Sequence, residues 1–130
     1  MTPLLVVAGA LVGAPLRLLA LRLADRAGRD PALGTLVVNV AGSAVLGCVL
    51  GLGHAPAWVV ALVGTGFCGT LTTFSTFGAD VVRLLDERAL GRALAYLAAT
   101  LVLGLAAAAV RAAPASVSRT ASTANAEYVV

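Results

Sequence analysis

Apolar residues run along this chain in long, nearly unbroken stretches, and polar residues gather in the short gaps between them. Four runs, at about 3–23, 34–53, 57–82 and 89–111, are each near the roughly 20 residues that a helix needs to cross a bilayer. The pattern predicts an all-α integral membrane protein with four transmembrane helices. No basic residue precedes the first run, and it is longer than the apolar core of a secretory signal, so it reads as a retained first helix.

The third run departs from the others. Residues 64–77, GTGFCGTLTTFSTF, place glycines and a Thr-Thr-Phe-Ser-Thr cluster where Leu, Val and Ala are expected. Backbone groups in hydrocarbon must be satisfied internally, so such an interruption survives only when buried in protein or lining a polar cavity. The third helix is therefore predicted to be broken near its middle, between Gly69 and Ser75, with an ion or substrate pathway as the natural reason.

The gaps carry turn chemistry. Asp25, Arg26, Gly28, Arg29, Asp30 and Pro31 separate the first two helices, and Gly53-His54-Ala55-Pro56 is short enough to make helices two and three antiparallel neighbours. Trp58 suits an interfacial anchor. Pro114 is expected to stop the fourth helix after about Arg111, leaving 113–130 as a disordered polar tail rich in Ala, Ser and Thr.

Composition agrees with the pattern: 60% of the 130 residues are hydrophobic and 12% charged, for a formal charge of +3. All nine basic residues are arginine, set mostly at helix ends, and without a basic stripe or interleaved aromatics there is no support for nucleic-acid binding. Arg22, Arg26, Arg29, Arg83, Arg88 and Arg92 hold or adjoin the first and third gaps, which the positive-inside rule puts in the cytoplasm with both termini outside. Cys48 and Cys68 fall within spans and read as small buried apolar residues. His54, in a loop without a metal-ligand partner, reads as solvated.

Several residues carry candidate chemistry. Arg17, about two turns from the end of helix one, either snorkels to the interface or attracts an anion at a vestibule mouth. Asn39 either hydrogen-bonds a neighbouring helix or donates its amide to a passing anion, beside the small-residue row Gly42, Ser43 and Gly47. Phe74 and Phe77 share a helix face amid Thr72, Thr73, Ser75 and Thr76. Two phenylalanines in a span are ordinarily packing or lipid contact, but the positive edge of a ring also suits a small anion. Weak, repeated contacts are what conduction needs. The break offers backbone carbonyls, from Gly69 and Thr72, to a cation. Tyr96 and Thr100 lie four apart on helix four, a possible polar track, although Thr100 could bond back to its own helix. Asp80 is placed to pair with Arg83 three residues on.

Together GxxxR at Gly13 to Arg17, GTLVVNVAGS at Gly34 to Ser43 and GFCGTLTTFSTF at Gly66 to Phe77 resemble, in order and spacing, the Fluc (CrcB) family of fluoride channels. The resemblance covers residues 1–112 as one four-helix subunit and leaves out the tail. It implies an antiparallel, dual-topology-type dimer in the bacterial inner (plasma) membrane, with two pores that export fluoride passively and a structural Na⁺ at the dimer centre. Carried onto this chain, Phe74 and Phe77 line the pores, Asn39 hydrogen-bonds fluoride, and Thr73 and Ser75 border the pathway. Tyr96 and Thr100 form the polar track, Arg17 is the vestibule arginine, and the carbonyls of Gly69 and Thr72 hold Na⁺. Gly104 stands where a hydroxyl can extend the track, and Thr70 replaces a glycine common beside the break. The arginine bias favours one orientation, which makes an oppositely biased paralogue a candidate partner besides a second copy.

A small multidrug-resistance-type proton-coupled exporter is the main alternative, being similar in size. Such pumps need a membrane-embedded acid, usually in helix one, and this chain has none in the first apolar run. A non-transporting scaffold leaves the break unexplained. An enzyme is not expected, because Ser75 and Cys68 have no in-span histidine or evident general base.

Overall fold

The computed structural model describes the backbone of residues 1–127 and the side chains of residues 1–110. Four helical stretches are long and apolar enough to cross a membrane, and no strand occurs among the described residues. The protein is a multi-pass membrane protein.

Helix α1, Thr2–Arg26, opens with Pro3 in its first turn, where a missing N–H costs nothing. It closes on Gly28 at φ +64°, with Gly28 N–H donating to Asp25 O and Arg29 N–H to Ala24 O. Helix α2, Pro31–Gly51, starts three residues before the expected Gly34 because Asp30 caps it, accepting from the Ala32 amide at 3.0 Å, with Pro31 at the first helical position. The gap between the two helices thus shrinks to residues 27–30.

Helix α3 covers residues 57–71 and is not a plain α-helix. After Ala57–Val59 the backbone widens into π geometry over Val60–Cys68, then returns to α for Gly69–Leu71. Thr72 and Thr73 are extended, with ψ of 155° and 123°. Helix α4, Phe74–Asp86, follows, and its end repeats the closure of α1: Arg88, at φ 56°, takes the left-handed position that Gly28 takes there. Helix α5, Leu90–Glu127, continues past Pro114, where the sequence predicts a stop; its alanines at 106–109 and 112–113 are the strongest helix formers available. The backbone of residues 113–127 is helical, and the side chains of the expected polar tail, 113–130, with residues 128–130, lie outside the described residues.

Packing is inside out relative to a water-soluble bundle. Leu4, Leu11, Val37, Val102 and Leu105 face outward, while the largest fully buried side chains are only Leu84 and Thr35. Lipid offers no hydrophobic penalty, so the helices associate through close backbone contact at small residues. A Cβ on Gly9 would strike Leu62 O, one on Gly13 would strike Phe67 O, and one on Gly66 would strike Val6 O. These three glycines seat α1 on α3. Gly47 does the same for α2 against Ala108 of α5. Cys68 is buried as expected, but Cys48 is exposed: it sits one position beyond Gly47, about 100° round the helix from that contact.

Candidate functional site

The two extended residues Thr72 and Thr73 leave backbone groups without helical partners, and α2 supplies some of the replacements. Asn39 Oδ1 accepts from Thr73 N–H at 2.9 Å, and Asn39 Nδ2 donates to Thr73 O at 3.3 Å. One planar amide thereby satisfies both backbone groups of Thr73. Of the two readings of Asn39, the bond to a neighbouring helix is present, and its second N–H is not consumed by it. Thr73 then caps α4, its hydroxyl accepting from Thr76 N–H at 3.3 Å and lying 3.2 Å from the hydroxyls of Ser75 and Thr76.

These substitutions release two carbonyls. In an unbroken helix the amides of Thr73 and Thr76 would close on Gly69 O and Thr72 O. Here the first is bound by Asn39 and the second by the Thr73 hydroxyl. Gly69 is exposed, and a Cβ there would meet nothing within 4 Å among the described residues.

Beside the break lies an open cavity of about 340 Å³ lined by Asn39, Gly42, Ser43, Gly69, Thr72, Thr73, Phe74, Phe77 and Thr100, together with Leu46, Gly64, Cys68 and Leu101. Seven of the ten residues named from sequence meet there. Thr100 Oγ1 is buried without a hydrogen-bond partner among the described residues, so it does not bond back to its own helix. A buried hydroxyl left unpaired costs about 1–3 kcal/mol, which singles out this position. Ser43 Oγ lies 3.5 Å from where a Cβ of Gly104 would stand, so α2 presents a hydroxyl where α5 has none. Phe74 is 85% exposed, whereas Phe77 is buried, with ring centroids 5.9 Å apart.

The other three residues fall elsewhere. Ser75 is exposed beside Thr73, and Arg17 is half-buried on α1 without lining the cavity. Tyr96 packs its ring on Phe77 at 5.3 Å but lines a second cavity, of about 340 Å³, with Asp30, Leu36, Leu84 and Arg92. Its hydroxyl donates to Asp80 Oδ2 at 3.3 Å, and Thr35 Oγ1 donates to the same oxygen at 2.7 Å. Arg83 stands 3.8 Å from the other Asp80 oxygen. The expected Asp80–Arg83 pair is present, but two hydroxyls hold the carboxylate more closely. Thr35 was not named from sequence, although Thr35, Asn39 and Ser43 recur every four residues along α2, a polar row that was there to be read.

At the adjoining end of the bundle Asp30 ties three helices together. Arg83 Nη2 reaches Asp30 Oδ1 at 2.6 Å, Arg92 binds the other oxygen, and Arg83 Nη1 bonds Glu87 at 3.0 Å. Burial pushes the Asp30 carboxyl up, but the Ala32 amide and the Arg83 and Arg92 guanidiniums outweigh it and hold it below the usual value of 3.8.

Four membrane-spanning helices, with two extended residues and a cavity beside them in the third apolar stretch, define a multi-pass helical membrane protein. Within that class the chain belongs to the CrcB family: the profile described as CrcB-like protein, Camphor Resistance (CrcB), matches residues 4–112. Curated relatives named "Fluoride-specific ion channel FluC 1" are 50% identical over 91 residues in Nocardia farcinica, 44% over 103 in Geobacillus kaustophilus and 45% over 120 in Frankia casuarinae. These alignments cover 69%, 79% and 85% of this chain. They span 63% of the Nocardia relative's length, 88% of the Geobacillus relative's and 92% of the Frankia relative's.

Proposed function

We propose that this chain is a subunit of a fluoride-selective passive channel in the bacterial plasma membrane, releasing fluoride from the cytoplasm, rather than an enzyme. The observation that carries the reading is the buried, unpartnered Thr100 hydroxyl in one cavity with Asn39, Ser43 and the two phenylalanines. Fluoride is a small anion that surrenders its hydration only to replacement donors. The free Asn39 N–H and the Thr100 and Ser43 hydroxyls are such donors, and Phe74 and Phe77 add weakly positive ring edges. None carries a full charge, so an ion held there is free to move on. Tyr96 and the arginine-bordered second cavity extend the pathway toward the cytoplasmic end, and Arg17 draws anions to the vestibule.

The working unit is an antiparallel dimer with two pores, formed with a second copy or with an oppositely biased paralogue. Phe74, exposed on a single subunit, is then covered by the partner, and the interruption in the third span serves both subunits. The carbonyls of Gly69 and Thr72, deprived of their helical amides, fit a central Na⁺, for which unwound backbone oxygens are suitable ligands. That ion would neutralise carbonyl dipoles at the subunit contact.

Fluoride efflux from proteoliposomes tests the proposal. Fluoride is expected to leave, chloride to stay, and Phe74→Ile to suppress the flux. Failure to move fluoride, both alone and with a co-expressed paralogue, overturns it. A proton-coupled exporter is disfavoured because the one acid in α1, Asp25, is exposed in its last turn, and the buried Asp80 of α4 is already held by the Thr35 and Tyr96 hydroxyls.

A further inference from the structure

On the opposite side of α2 from the cavity, α1 and α2 enclose a groove of about 350 Å³ lined by Ala20, Ala24, Leu33, Gly34, Val37 and Arg29. Its depth comes from small residues, since a Cβ on Gly34 would stand 3.1 Å from Ala24 Cβ and 3.2 Å from Leu21 Cδ2. The helices therefore close its floor, while Leu33 and Val37 form exposed walls. Arg29 is the one charged residue in the lining.

We propose that this groove binds an anionic phospholipid, one acyl chain lying against Ala20, Ala24 and Val37 and the phosphate on the Arg29 guanidinium. Charge complementarity supports that occupant. Asp30, the next residue, is fully engaged by Arg83 and Arg92, whereas Arg29 has no ion pair or side-chain hydrogen bond among the described residues. Arg22 and Arg26, on the last turns of α1, are likewise exposed and unpaired among the described residues, against one exposed acid, Asp25. A basic edge above an apolar groove between two membrane helices matches a lipid with a negative headgroup.

Position supports a lipid over a second subunit. At about 100° per residue, Val37 is roughly 200° around α2 from Asn39, so the groove and the cavity face away from each other. A partner that covers the cavity and Phe74 leaves the groove in contact with the bilayer.

Native mass spectrometry of detergent-released protein, offered equal amounts of phosphatidylglycerol and phosphatidylcholine with identical chains, tests the site. The protein is expected to retain phosphatidylglycerol about fivefold more, the effect of roughly one arginine near an anionic headgroup. Arg29→Gln should bring the two lipids to within about twofold and Arg29→Lys should restore the preference, since a point charge suffices. Val37→Trp, filling the groove from an exposed wall, should lower retention of both lipids. Arg88→Gln, removing an exposed arginine outside the groove that is unpaired among the described residues, should change nothing. The proposal is overturned if Arg29→Gln keeps the preference, if Arg88→Gln removes it equally, or if Val37→Trp retains both lipids undiminished. Binding of chain-free glycerophosphoglycerol as tight as that of the lipid also overturns it, as a plain anion site.

Discussion

Gly66 and Gly69 sit three residues apart in one span and do opposite things. Gly66 is pressed against the backbone of α1, where a Cβ would strike Val6 O and stand 3.0 Å from Gly9 Cα. Gly69 faces open space, and the amide that would close on its carbonyl is held by Asn39. At the first, the missing side chain lets two helices touch. At the second, it leaves backbone uncovered. Hydroxyls divide in the same way: Thr70 and Thr72 bond back to Gly66 O and Cys68 O at 2.7 and 2.9 Å, whereas Thr100 is unspent. Residue type within this span therefore says little about role until its surroundings are known.

The sharpest way to break the contrast is to add the same methyl at both glycines. Gly66→Ala should destabilise the subunit by about 3 kcal/mol, because backbone rather than a flexible side chain must move. Gly69→Ala should leave it unchanged or up to about 1 kcal/mol more stable, through helix propensity. Thermal unfolding in detergent separates the two, and equal shifts would erase the distinction. Asn39→Ala comes next: it strips both partners from Thr73, with an expected loss of about 2 kcal/mol and of fluoride flux together.

Smaller is the effect of the ion-paired end. The Asp30 carboxyl is held below its usual value, so its pairing stabilises the fold above pH 3.8 and that contribution disappears as pH falls through the lower folded value. Asp30→Asn keeps the helix cap but loses the charge. Its unfolding temperature should lie slightly below that of the unmodified chain at pH 7, by an amount corresponding to about 1 kcal/mol or less, and the two should converge in acid. Thr100→Val is expected to raise stability by about 1 kcal/mol, since it removes a buried unpaired hydroxyl and no protein partner is lost, while fluoride efflux falls about tenfold. A large drop in stability with flux intact would show that this hydroxyl is structural after all.

Much of this was legible in the chain. The four spans follow from run length, and apart from the fourth helix, which runs on to Glu127, their ends differ by only a few residues, where Asp30 with Pro31, or Arg88, supplies a cap that apolar patterning does not register. The π geometry of Val60–Cys68 was not legible: its glycines advertise close packing, but the wider turn is seen only with α1 in place. Nor was the trio of Thr35, Asp80 and Tyr96, whose members lie on three different helices. Cys48 is exposed where burial is expected, because membership of a span does not tell which side of the helix is packed.

By itself the sequence determined that the protein lives in a membrane, how many times it can cross, where its third span is anomalous and which polar residues are worth watching. Hydrophobicity, helix length and backbone propensity are properties of neighbouring residues, so a linear reading reaches them. Tertiary structure alone decided which of those polar groups are already spent. Asn39 meets Thr73 across 34 positions and Thr35 meets Asp80 across 45. A hydrogen bond is consumed by whatever lies within about 3 Å, and that neighbour is set by helix packing, not by position along the chain.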